Sequence, residues 1–153
     1  MPGASPMWPR YPPRGGASHF VAGGGVQYTA ISTDALARCS VVLAVPPHSS
    51  GDLHLVYLAT GESRQMTGYN AAYFREHPAA SLEKFSLSRK GVEIESRLLL
   101  PPDFDRSGKY PLVVDIHGGP NGAFYDAFNP LQQVLATSGY IVLCVNPRGS
   151  STY

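Results

Sequence analysis

The sequence predicts an α/β chain, with an antiparallel β-meander in its first half and a βαβ unit of parallel strands in its second. Three observations carry this. Between residues 26 and 67, short apolar or alternating runs recur with turn residues between them, the pattern of tightly connected strands. Later, two short apolar runs, 112–116 and 141–145, flank a stretch with clear helix start and stop signals. Glycine (16) and proline (14) are both abundant, which calls for many turns and short strands.

Composition narrows the class. The 153 residues are 43% hydrophobic and 15% charged, as expected of a globular protein rather than a disordered one. A net charge of +1 gives no electrostatic case for a nucleic acid or an acidic membrane surface. Cys39 and Cys144 lie in different apolar runs without metal-like spacing, so two reduced thiols are expected rather than a disulfide framework. His19, His48, His54 and His77 are scattered, which argues against a metal site, and no cofactor motif occurs. The N-terminus lacks an apolar signal-peptide core, and no apolar run approaches the roughly 20 residues that span a bilayer. By elimination the expectation is a cytoplasmic protein.

Taken in order, residues 1–25 are rich in Pro, Gly, Ala and Ser without periodicity and are expected to form an irregular tail. Residues 26–68 read as a four-stranded antiparallel meander, the unit of a β-propeller blade; a hairpin within some other sheet is the competing reading. Residues 69–82 form a linker with room for one short helix. Residues 83–153 begin with a hairpin in which Val92, Ile94, Leu98 and Leu100 share one face, leaving Glu93, Glu95 and Arg97 on the other. The apolar run 112–116, rich in β-branched residues, follows and empties into His117-Gly118-Gly119-Pro120. Asn129 is placed to cap a helix, Pro130 suits its first turn, and Gly139 suits its C-terminal end. Phe128, Leu131, Val134 and Leu135 are its expected apolar stripe.

The paired glycines tolerate positive φ and allow close approach to the backbone. Amides exposed at a strand end are what an oxyanion hole needs, because fixed donors there face charge developing on a carbonyl oxygen. For Gly-Gly alone a plain tight turn is the simpler reading.

The surrounding residues shift that balance. The hairpin FSLSRKGVEIESRLLLP, the strand running into HGGP, and VNPRGSS near the C-terminus together resemble the prolyl oligopeptidase family of serine peptidases, nearest its acylaminoacyl-peptidase-like branch. The resemblance is strong over 85–153 and moderate over 51–153. It implies a β-propeller-blade-like segment followed by the N-terminal part of an α/β-hydrolase sheet, and cleavage of short peptides by a Ser-Asp-His triad. It implies an oxyanion-hole amide from Gly119, with Gly118 as the second candidate, and supporting roles for His117, Pro120 and Arg148. Peptides would be the substrate of the intact relative.

The chain contains no Gly-x-Ser-x-Gly elbow, so the resemblance implies a peptidase truncated before its triad and inactive alone. Ser150 and Ser151 lack the elbow's second glycine. His117 reads as a structural residue that ties its loop down, with no Ser or Asp locally placed to partner it. Arg148 is expected to anchor its loop on backbone or carboxylate, and Asp115 to be a satisfied structural carboxylate. The alternative is a non-catalytic β-rich interaction module or pseudoenzyme.

Overall fold

The computed structural model describes residues 9–10, 19–20, 25–119 and 121–152. The expected irregular tail over 1–25 lies largely outside them. Its described part includes a two-residue antiparallel pairing of β1 (Pro9–Arg10) with β2 (His19–Phe20). The chain divides into two compact units, one of Ala4–Ala72 with Tyr125–Ala127, the other of Tyr73–Phe124 with Phe128–Tyr153.

The first unit contains β3 (Gln27–Thr33), β4 (Cys39–Val45), β5 (Asp52–Tyr57) and β6 (Ser63–Gln65), hydrogen-bonded in sequence order and antiparallel throughout. Ser40, Val42 and Ala44 alternate along β4 and are buried, with Val56 of β5 buried opposite Ser40. The β3–β4 turn is closed by Asp34, whose carboxylate accepts the Cys39 amide at 3.0 Å and the Arg38 Nε–H at 3.0 Å. Those bonds, the Cys39 amide first, hold its carboxyl below the usual range. Four strands were expected here and four are present.

The second unit holds a sheet of β7 (Ser81–Arg89), β8 (Val92–Leu100), β9 (Leu112–Asp115) and β10 (Ile141–Asn146), in the order β7-β8-β10-β9. Lys90 and Gly91, with φ of 52° and 73°, close the β7–β8 hairpin as a two-residue turn with both central residues left-handed. β9 and β10 run parallel, pairing Ile141 with Leu112 and Cys144 with Asp115. Helix α1 (Ala71–Glu76) lies within residues 69–82, and α2 (Pro130–Thr137) bridges the parallel strands. Ala80, Leu99, Ala136, Val142 and Cys144 form the buried core, with Leu82, Phe124 and Leu135 packed against it. Burial pushes the Cys144 thiol up to about 12, the Asp115 carboxylate adding to the rise and Arg97 opposing it.

Two expectations fail here. Arg97 does not lie on a solvated face: it is buried, paired with Glu95, and aligned with Cys144 on the side of the sheet that carries the core. The apolar stripe of α2 fails in part: Leu135 packs against the core, but Leu131 and Val134 are exposed and Gln132, Gln133 and Ala136 are buried. Hydrogen bonding decides which face turns inward. Gln132 Nε2 donates to Asp115 at 2.7 Å, and Gln133 Oε1 accepts from the Ala80 amide at 2.8 Å.

The ends of α2 are as expected. Asn129 Oδ1 accepts the Leu131 and Gln132 amides at 3.0 and 3.2 Å, Pro130 fills the first turn, and Gly139 follows the C-cap with φ of 92°. Asn129→Ala is expected to lower stability by about 1 kcal/mol, the usual worth of such a cap. Chemical denaturation of the variant checks this.

Candidate functional site

Because β9 and β10 are parallel neighbours, the loops after both leave the sheet at the same edge, and ligands of open α/β sheets bind beyond the carboxyl ends of the strands. After β9 the chain passes through Ile116, which is exposed, to His117, which is half-buried. Gly118 and Gly119 follow, both exposed. After β10 it passes through Pro147, Arg148 and Gly149 to Ser150, of which only 4% is exposed.

The two loops are joined at several points. His117 Nε2 lies 2.9 Å from Ser150 Oγ, and the Ser151 amide donates to the Gly122 carbonyl at 3.3 Å. Asn146, which is 1% exposed, closes β10 with a polar side chain and takes both backbone groups of Phe124. Its Oδ1 accepts the Phe124 amide at 2.8 Å and its Nδ2 donates to the Phe124 carbonyl at 3.0 Å. The Phe124 ring meets the His117 imidazole edge-on, with centroids 5.4 Å apart. Between these ties the turn doubles back so closely that a Cβ on Gly122 would overlap the Gly118 carbonyl oxygen. Only glycine fits there.

No serine was expected close to His117 along the chain, and Ser150 reaches it from 33 residues away. The pair is still not a nucleophile and base. Ser150 is buried, its hydroxyl donates to the Pro147 carbonyl at 2.7 Å, and the other ring nitrogen of His117 faces the Gly118 carbonyl at 3.0 Å rather than a carboxylate. Asp115 accepts from Gln132 as a satisfied structural carboxylate.

Neither Gly118 nor Gly119 adopts positive φ, and a Cβ on Gly119 would come no nearer than 3.7 Å to the Asn121 nitrogen. The reason expected for these glycines is therefore not backbone conformation, and a Cβ at either would meet no close neighbour. Arg148 is exposed and makes no hydrogen bond or ion pair among the described residues, contrary to the anchoring expected of it. Pro120 lies outside the described residues. No group of three or more His, Cys, Asp or Glu converges among the described residues.

Sequence reasoning missed Gly122, Asn146 and Ser150 as the residues that fix this turn. One signal was available for Asn146, a polar residue closing an otherwise apolar strand just before a proline. Ser150 carried none.

No family model matches the chain. Individual relatives do. The uncharacterized peptidase YuxL of Bacillus subtilis is 34% identical over 108 residues, covering 70% of this chain and 16% of that protein. A probable dipeptidyl-peptidase 5 of Emericella nidulans is 43% identical over 66 residues, 40% of this chain and 9% of the relative. The acylaminoacyl peptidase of Pyrococcus horikoshii superposes with a TM-score of 0.78 at 28% identity, over 90% of this chain and 21% of that one. These likenesses support the resemblance to serine peptidases of the prolyl oligopeptidase family. The chain spans between 9% and 21% of the length of these three proteins. The likeness to the acylaminoacyl peptidase includes the small two-sheet α/β arrangement described above.

Proposed function

We propose that this chain forms part of a serine peptidase acting on short peptides. Residues 26–68 would be a propeller blade, 69–82 the linker, and 83–153 the start of the hydrolase sheet. The amide of Gly119 would supply one donor of the oxyanion hole, with Gly118 beside it. One observation carries this reading. The turn after β9 places two exposed glycines at the carboxyl edge of two parallel strands and is fastened to the loop of the neighbouring strand. Donors held this way need no reorganisation as charge develops on the scissile carbonyl oxygen, which is the condition for electrostatic stabilisation. The peptide character of the substrate is supported by the peptidase relatives and by an acylaminoacyl peptidase bound to Z-Gly-Gly-Phe-chloromethyl ketone. No helix among the described residues is long and apolar enough to cross a membrane.

The nucleophile would come from a Gly-x-Ser-x-Gly elbow, which these residues do not contain. The 153-residue chain alone is accordingly expected to show no turnover of p-nitrophenyl esters or peptide nitroanilides and no labelling by a fluorophosphonate. Labelling at Ser150 would contradict the assignment. The complementary experiment joins this chain to the C-terminal remainder of YuxL. Peptide-nitroanilide hydrolysis by that chimera is expected, and a folded chimera without activity would overturn the peptidase reading.

A further inference from the structure

We propose that Ser150 is a positioning residue for the Gly118–Gly119 turn, acting through the imidazole of His117. The proposal rests on the reading of that turn as the oxyanion donor. It begins with protons. Ser150 Oγ lies 2.7 Å from the Pro147 carbonyl oxygen, and a carbonyl only accepts. That separation is typical of an O–H···O bond and too short for two oxygens without a proton between them. The single hydroxyl proton is therefore committed to Pro147. Oγ is left to accept from His117 Nε2, 2.9 Å away, so the imidazole carries its proton on Nε2.

The competing tautomer would place the proton on Nδ1, facing the Gly118 carbonyl at 3.0 Å. It would leave Ser150 Oγ and the Pro147 oxygen in unprotonated contact. The favoured tautomer leaves Nδ1 unprotonated beside the Gly118 carbonyl, but Gly118 is exposed to solvent, whereas Ser150 is buried. An unmade bond costs more at the buried site.

The relay His117 Nε2–H to Ser150 Oγ–H to Pro147 carbonyl thus ties the residue before Gly118 to the loop after β10. Gly149, with φ of 97°, provides the left-handed step that precedes Ser150 in that loop. The Ser151 amide holds the far side of the turn at Gly122, so Gly118 and Gly119 are bracketed from both ends. Removing the Ser150 hydroxyl leaves the imidazole one good acceptor, the carbonyl of its own neighbour. The ring then moves its proton to Nδ1 and no longer restrains the turn.

The test uses the full 153-residue chain, isotope-labelled, with long-range proton–nitrogen correlation of the His117 ring and backbone order parameters for Gly118 and Gly119. The wild type is expected to show the Nε2–H tautomer and order parameters near the rigid-backbone value of about 0.85. Ser150→Ala is expected to switch the tautomer to Nδ1–H and lower the two glycine values below about 0.6, with β10 unaltered. Ser150→Thr, which keeps the hydroxyl, is expected to retain the wild-type tautomer. An Nδ1–H ring in the wild type, an unchanged ring in Ser150→Ala, or a Thr variant that behaves like Ala would each overturn the proposal. An inactive chimera would strike the peptidase reading but leave these spectra standing, so the two failures are distinguishable.

Discussion

Gly119→Val in the chimera with the YuxL remainder is expected to lower kcat by about a hundred- to a thousandfold, the usual effect of losing one oxyanion donor. KM should change little, because the amide binds charge that is present in the transition state and nearly absent in the ground state. The physical reason is steric access. A Cβ at Gly119 would meet Asn121 N at 3.7 Å, an ordinary contact, so the first carbon fits the turn. The branched side chain would add bulk beside the amide, where a substrate carbonyl oxygen must come within hydrogen-bonding distance. Circular dichroism and the denaturation midpoint should stay near wild type. A folded Gly119→Val chimera with normal kcat would remove this amide from the mechanism.

Gly122→Ala should act by the opposite route, through the fold of the turn. Its Cβ would overlap the Gly118 carbonyl oxygen and press on His117 Nδ1 at 3.2 Å. The first of these neighbours is backbone, so relief requires the turn to open. Forcing a methyl group into a filled site costs about 1–3 kcal/mol, and the denaturant midpoint should fall with an unchanged slope. Opening also drags Gly118 and Gly119 from their places, so kcat of the chimera should drop together with stability. Wild-type stability in Gly122→Ala would show that the close approach is not real.

What the sequence disclosed was local. The ends of α2 were legible because Asn129, Pro130 and Gly139 act within one turn of the chain they terminate. The buried face of that helix was not, because it is chosen by partners distant in sequence. Gln132 reaches Asp115 across 17 residues and Gln133 reaches Ala80 across 53. Hydrophobic spacing along the helix, with Leu131 and Val134 in the expected stripe, carries no information about either bond.

The candidate site divides the same way. His117-Gly118-Gly119 stood out as a motif after an apolar strand. The serine that holds its histidine lies 33 residues away, in a loop with no periodicity to mark it. Arg97 shows a third limit. In β8 it alternates with apolar residues as an outward-facing side chain would, yet α2 covers that side of the sheet, and its pairing with Glu95 lets it be buried there.

The most direct test of the account is a crystal structure of the chimera bound to a peptide boronate or a related tetrahedral analogue. The analogue's oxyanion is expected to lie about 2.7–3.1 Å from the Gly119 amide nitrogen, the range of an oxyanion-hole donor, with His117 still on Ser150. An oxyanion directed away from both Gly118 and Gly119, with the turn after β9 untouched by the ligand, would contradict it.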